Sequence, residues 1–87
     1  MAGTHYDTLG VKQDATQEEI KAAYRKLALE LHPDVTPDPA ATERFMEVQK
    51  AYEAVSDAGR RRTYDNLLAL QKQRLAEEKR MREAEEL

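Results

Sequence analysis

The sequence predicts an all-α fold built around an antiparallel hairpin of two helices. The chain is rich in helix-forming residues and poor in β-branched ones. Two segments also carry apolar residues at helical spacing, and a proline-rich loop separates them. At 87 residues the chain has room for one small domain with a modest core. Two short helices are expected to flank the hairpin, and a charged helical extension to follow it.

The first short helix is predicted at about residues 6–9. Thr4 can cap its start, with Asp7 three residues later. Gly10 can end it in the left-handed region, which glycine adopts without strain.

The second helix should begin after Thr16, because Thr16 and Glu19 have the spacing of a capping box. Pro33 should end it, since proline lacks an amide hydrogen and pushes the preceding residue towards an extended conformation. One face of this helix carries a stripe of apolar residues, namely Ile20, Ala23, Tyr24, Leu27, Ala28 and Leu31.

Residues 32–39 are predicted to form a loop because three prolines lie close together there. The third helix should then start with Asp38 as its N-cap and Pro39 at its first position. Its apolar face consists of Phe45, Val48, Tyr52 and Val55.

Ser56 and Asp57 can end the third helix and cap a fourth, which is predicted from about Ala58 to Asn66. We expect the folded domain to occupy residues 4–66 and a charged helical extension or linker to occupy residues 67–87.

The extension carries a charge-rich run over residues 71–87 that suits one long solvated helix, with i,i+4 pairs of opposite charge. These pairs are Glu78–Arg82 and Lys79–Glu83. Leu75, Met81 and Leu87 are too sparse for a sustained heptad seam, so a solvated helix or linker is favoured over a coiled coil or partner-binding helix.

The composition of the chain argues against several classes of function. The net charge of −3 argues against a general nucleic-acid binder. Cysteine is absent, and His5 and His32 lack metal-ligand spacing, so we expect no structural metal and no cofactor. There is no membrane-spanning apolar run and no secretory signal, so we expect a soluble intracellular protein, cytoplasmic or in an organelle matrix.

The outer face of the second helix carries positive charge. At about 100° per residue, five residues point away from Ile20 and Leu27. They are the cations Lys21, Arg25 and Lys26 and the small apolar strip of Ala22 and Leu29. This face leads directly into the tripeptide His32-Pro33-Asp34.

The segment from Lys21 to Asp34, KAAYRKLALELHPD, resembles the second helix and signature loop of J-domain proteins, the forty-kilodalton heat-shock co-chaperones. Three further motifs carry the same resemblance: YDTLGV at residues 6–11, FMEVQKAY at 45–52 followed by VSD at 55–57, and RRRTYD at 60–65. The tripeptide alone is a weak signal, whereas its place between two correctly patterned helices with both flanking motifs is a strong one.

The resemblance implies a module, not an enzyme, that docks on the ATP-bound seventy-kilodalton heat-shock chaperone of the DnaK family. Docking would promote ATP hydrolysis and so trap a client polypeptide. By this likeness His32, Pro33 and Asp34 transmit the stimulation, while Lys21, Arg25 and Lys26 steer and hold the complex. Ala22 and Leu29 supply a small apolar contact. We expect a monomer that contacts clients only indirectly.

Each of these residues also has a plainer interpretation. His32 can be a favourable C-terminal helix residue, and Asp34 an ordinary turn residue. The three cations can be a solvated face, and Leu29 an isolated exposed leucine. The five aromatic residues are expected to serve the core or the contacts between helices: Tyr6, Tyr24, Phe45, Tyr52 and Tyr64.

The chain departs from the family pattern beside the signature. Glu30 and Leu31 stand where many members have a basic residue and an aromatic one, and Val35 stands where a basic residue often follows the aspartate. These changes bear on affinity and partner choice. The Gly/Phe-rich linker and the cysteine-rich zinc region of many family members are absent, so we expect a domain of a longer protein or a member without those parts.

Two other functions stay open. Arg60, Arg61 and Arg62 can form a nucleic-acid patch, although in such a run the usual outcome is a solvated face with one arginine packed on the fold. The charged C-terminal helix can alternatively assemble oligomers.

Overall fold

The structure is a computed structural model that describes residues 3–86. Within that range the chain forms four helices and no strand. They are α1 (His5–Leu9), α2 (Gln17–Leu31), α3 (Pro39–Val55) and α4 (Ala58–Glu86). The all-α prediction is therefore confirmed. Leu87, one of the three apolar residues judged too sparse for a heptad seam, lies outside the described residues.

The predicted helix starts and stops are confirmed at the residues that were expected to make them. The side chain of Thr4 accepts a hydrogen bond from the Asp7 amide, and that of Thr16 accepts one from the Glu19 amide. Gly10 ends α1 with φ of 72°, in the left-handed region. Asp38 caps α3 by accepting from the Ala40 amide at 3.1 Å. Each interaction spans only a few residues, which is why the sequence reveals it.

The helices α2 and α3 pack against each other as the antiparallel hairpin. Tyr24, in the middle of α2, stacks on Tyr52 in the last turn of α3, with the two rings 4.1 Å apart and nearly parallel. At one end, the side-chain amide of Gln17 donates to the main-chain oxygen of Val55 at 2.9 Å. The first residue of α2 thus contacts the last residue of α3, as antiparallel packing requires.

A small core lies between α1, α2 and α3. Ile20, Val48 and Val55 are fully buried, as the apolar stripes predict, and Tyr6 and Leu9 bring α1 onto α3. Burial of such side chains contributes about 1.5–3 kcal/mol each and is the main stabilising term. The rest of the predicted stripe of α2 is only partly buried, because a chain this short cannot enclose two full helix faces.

The predicted end of the fourth helix at about Asn66 is wrong. The helix α4 continues without a break to Glu86, because residues 60–86 contain neither glycine nor proline and the docked first half already provides the helical nucleus. Leu68 is the last α4 residue that packs on the core among the described residues. Residues 69–85 are exposed, so this half projects from the body and gives the molecule dimensions of 58 × 29 × 16 Å.

The helical character predicted for the extension is confirmed, but its two predicted ion pairs are not formed. Within residues 3–86, neither Glu78–Arg82 nor Lys79–Glu83 brings its charged atoms within 4.0 Å. Exposed pairs of this kind contribute little in water, so the helix does not depend on them. No helix formed by residues 3–86 is both long and apolar enough to cross a bilayer.

Candidate functional site

The second helix ends in a tight corner formed by His32, Pro33 and Asp34. His32 leaves the helical conformation, with φ of −58° and ψ of 136°, as expected for a residue before proline. Its carbonyl oxygen accepts hydrogen bonds from the amides of Val35 and Thr36, both at 2.9 Å. The chain therefore reverses within four residues and presents the corner beyond the end of α2.

The side chains of His32 and Asp34 remain accessible at this corner, with relative exposures of 50% and 90%. The Asp34 amide donates to Nδ1 of His32 at 3.2 Å. Nδ1 is the acceptor in this bond, so Nε2 is the ring nitrogen that remains available to a partner. The Asp34 carboxylate lies 3.6 Å from the same Nδ1, too far for a good hydrogen bond, and keeps its acceptor capacity.

Thr36 fastens the corner to the last turn of α2. Its hydroxyl donates to the carbonyl oxygen of Glu30 at 2.9 Å, which satisfies one of the carbonyl groups that a helix end leaves without a partner. Its own carbonyl accepts from the Asp38 amide at 2.8 Å. Thr36 was not predicted from the sequence, because its bond spans six residues and depends on how the loop turns.

The three cations of α2 are exposed, as is the small apolar strip between them. Lys21, Arg25 and Leu29 form one row along the helix surface, and Ala22 and Lys26 form the next. Leu29 is 72% exposed. No carboxylate of the described chain lies within 4.0 Å of Lys21, Arg25 or Lys26. We call these three residues, Lys21, Arg25 and Lys26, the basic face. Their charges have no ion-pair partner in the described chain, and the face extends along α2 to the corner at His32.

One exposed apolar residue beside the corner was noted only as a departure from the family pattern. Val35 is 66% exposed and directly follows Asp34. The ring of His32 meets that of Phe45 from α3 edge-on, with centroids 6.1 Å apart. Phe45 therefore supports the corner from below, while Pro33, Asp34 and Val35 face solvent.

A second polar cluster holds the opposite end of the hairpin, and Arg61 is its centre. Its guanidinium donates to the main-chain oxygens of Ala15 and Gln13, at 2.6 and 2.8 Å, and to the side chain of Gln17 at 2.7 Å. Its Nε also donates to the hydroxyl of Tyr6 at 3.2 Å. The prediction that one arginine of the triplet packs on the fold is confirmed, and the structure identifies it as Arg61.

The same cluster changes the titration of Tyr6, whose side chain is buried. Burial raises the pKa of Tyr6 above its ordinary value of 10.0, and the hydrogen bond that its hydroxyl donates to Asp65 raises this pKa further. Arg61 opposes both effects, because its positive charge favours the phenolate.

Arg60 also has internal partners: its guanidinium forms ion pairs with Glu53 at 3.7 Å and with Asp57 at 3.5 Å. A nucleic-acid patch would therefore retain only Arg62 as an unengaged cation of the triplet.

Comparisons of the sequence and of the structure with known proteins point to the same family. The family model described as the DnaJ domain matches residues 4–65. The Chaperone protein DnaJ 2 of Streptomyces avermitilis is 55% identical over 65 residues, and the Chaperone protein DnaJ 1 of Nocardia farcinica is 60% identical over 65 residues. Each alignment covers 75% of this chain and 17% of the relative, so the chain spans less than a fifth of these proteins.

A solved structure shares the same arrangement. The crystal structure of the J-Trx1 fragment of ERdj5 superimposes with a TM-score of 0.70 and 41% sequence identity. The match covers 75% of this chain and 32% of that chain.

Proposed function

Since this chain belongs to the DnaJ-domain family, we propose that it is a co-chaperone module that binds the ATP-bound seventy-kilodalton heat-shock chaperone of the DnaK family and stimulates its ATP hydrolysis. The hydrolysis takes place in the partner, and this chain supplies only a binding surface. Hydrolysis tightens the hold of the chaperone on its client polypeptide, so this chain acts on clients only indirectly.

The observation that carries the proposal is the corner at the end of α2. Asp34 is 90% exposed and its carboxylate is free to accept hydrogen bonds, so it can pair with a basic group of the chaperone. Pro33 and the two amides bonded to the His32 carbonyl restrict the turn before binding, which lowers the entropy lost on docking. His32, Pro33 and Asp34 are proposed to act together as the stimulating element.

The basic face of α2 is proposed to guide the encounter. Lys21, Arg25 and Lys26 have no internal carboxylate partner in the described part of the chain, so their field can attract an acidic surface. Such charges mainly raise the association rate and make it depend on salt. Ala22 and Leu29 are proposed to form a small apolar contact within that face.

The test is single-turnover ATP hydrolysis by several candidate chaperones with and without this chain. Wild type should accelerate hydrolysis in at least one of them, whereas His32→Gln and Asp34→Asn should lose the acceleration while circular dichroism and the urea midpoint stay those of wild type. Asp14→Asn is the matched control, since Asp14 is an exposed aspartate in the α1–α2 loop. Equal stimulation by wild type and both corner variants would refute the proposal.

A further inference from the structure

The projecting half of α4 lacks any packing partner within the described chain. Residues 69–85 are all exposed, so this segment lacks the tertiary packing that supplies most helical stability in proteins. The docked first half of α4 provides the nucleus, but a second helix packed alongside would stabilise the projecting half further. The distribution of its exposed side chains indicates what such a helix would be.

Three of the four large apolar side chains exposed on α4 share one face. Leu67, Leu70 and Met81 are 50%, 43% and 69% exposed, and at about 100° per residue they fall within about 60° of one another around the helix axis. Leu75, 67% exposed, lies on another side. The face also carries two charges and a small residue, and we call it the α4 outer stripe: Leu67, Leu70, Arg74, Glu77, Met81 and Ala84.

We propose that the α4 outer stripe binds a second copy of this chain in antiparallel orientation. When Arg74 of one copy is set opposite Glu77 of the other, helical spacing brings Leu70 opposite Met81 and Leu67 opposite Ala84. Two-fold symmetry repeats every contact, so the stripe is complementary to itself. Two central ion pairs then lie between two pairs of large apolar side chains.

The charges of Arg74 and Glu77 favour the antiparallel orientation over the parallel one. A parallel pair of the same helices would place Arg74 against Arg74 and Glu77 against Glu77, which is unfavourable. Neither Arg74 nor Glu77 forms an ion pair within residues 3–86, so both are free for the second copy. Close salt bridges across such a helix pair specify orientation more than they add affinity.

A neighbouring groove extends the proposed interface. Leu67, Ala54 and Tyr64 line a shallow and largely apolar groove of about 450 Å³ between α3 and α4, and Lys50 lies on its rim. In the proposed register, Glu85 of the second copy reaches the turn of α4 that contains Leu67. Its negative charge complements the groove, whose charged lining of Lys50, Arg60 and Glu53 is positive on balance.

The size of the contact sets the expected affinity. One pair of helices over about five turns falls below about 1,200 Å² of buried surface, the range of weak and transient complexes. The protein would therefore be a monomer at low concentration, the state that its sequence predicts, and a dimer only when concentrated. The dimer leaves the corner and the basic face of α2 uncovered.

Sedimentation equilibrium of the full chain at increasing concentration, up to about 500 µM, tests this inference. Wild type should shift from monomer to dimer, whereas Leu70→Glu should stay monomeric because it removes two apolar contacts per dimer. Leu75→Glu is the matched control and should dimerise like wild type. Leu70 and Leu75 are both exposed, so neither variant should change the circular dichroism spectrum.

A charge swap tests orientation and register. Arg74→Glu and Glu77→Arg should each weaken dimerisation about tenfold, because like charges then meet, and the double variant should restore it. A chain that remains monomeric at the highest concentration overturns the proposal. Equal effects of Leu70→Glu and Leu75→Glu, or a double variant as weak as the single ones, also overturn it.

Discussion

Arg61 in α4 donates a hydrogen bond to the main-chain oxygen of Ala15, 2.6 Å away in the loop before α2. The two residues are distant in sequence, and their bond ties the fourth helix to the start of the second. Since the same guanidinium also holds Gln17 and Tyr6, one side chain connects α4, α1 and the base of the hairpin.

Replacement of Arg61 by alanine should therefore destabilise the fold by about 2–3 kcal/mol, because hydrogen bonds from a charged group are lost and partly buried acceptors are left without partners. Arg61→Lys should restore less than half of this loss, since an ammonium group cannot reproduce the planar fork of donors. Urea unfolding would measure both. Arg62→Ala, at an exposed position, is the control and should stay within about 0.5 kcal/mol of wild type. Similar losses for Arg61→Ala and Arg62→Ala would contradict the assigned role.

The buried phenol of Tyr6 predicts a stability that depends on alkaline pH. Burial and the bond to Asp65 raise the pKa of Tyr6 above 10.0 in the folded state, so the folded protein holds this proton more tightly than the unfolded chain. This contribution to stability is complete below pH 10 and is lost as the pH rises through the folded-state pKa. Urea midpoints measured upward from neutral pH should fall more steeply above pH 10 in wild type than in Tyr6→Phe. Parallel curves for the two proteins would show that Tyr6 does not carry the effect.

The hydroxyl of Thr36 is predicted to matter for stimulation more than for stability. Thr36→Val keeps the shape of the side chain but removes the bond to Glu30, which costs about 1 kcal/mol or less at this exposed loop. The corner becomes less ordered before docking, so single-turnover ATPase stimulation should drop several-fold. Thr36→Ser should recover it. Thr63→Val removes a comparable hydroxyl bond within α4, to Gly59, and should leave stimulation unchanged. A drop caused by both valine variants would point to a general loss of structure.

Charge reversal on the basic face is predicted to slow association. Arg25→Glu should reduce the association rate with the chaperone about tenfold at low salt and flatten its salt dependence, while stability changes little because Arg25 is exposed. Stopped-flow binding at several salt concentrations measures this. Lys72→Glu makes the same change in charge on the projecting half of α4, away from the proposed docking face. An equal slowing by both variants would indicate an effect of net charge alone.

The core was only partly predictable. Ile20, Val48 and Val55 were expected from helical periodicity and are fully buried. Ala15 and Ala51 were not singled out, although they are 6% and 0% exposed, because a small side chain is buried only where a neighbouring element closes over it. Periodicity identifies the inward face of a helix, but the neighbour decides how much of that face is covered.

The candidate site divides in a similar way. The corner and the exposure of the basic face could be predicted, because Pro33 ends a helix whose outer face is read from residue spacing. The bond from Thr36 to Glu30 could not be predicted, since it depends on the path of the loop. The part that His32, Asp34 and the cations take in stimulation stays a prediction until the ATPase measurements test it.

Local signals were enough to locate the starts of α1, α2 and α3 and the ends of α1 and α2, since caps, prolines and Gly10 act within one turn of chain. Packing between the helices selects which of three adjacent arginines enters the fold, and it brings Gln17 to the far end of α3. These outcomes depend on contacts between residues far apart in the chain, which no local pattern encodes.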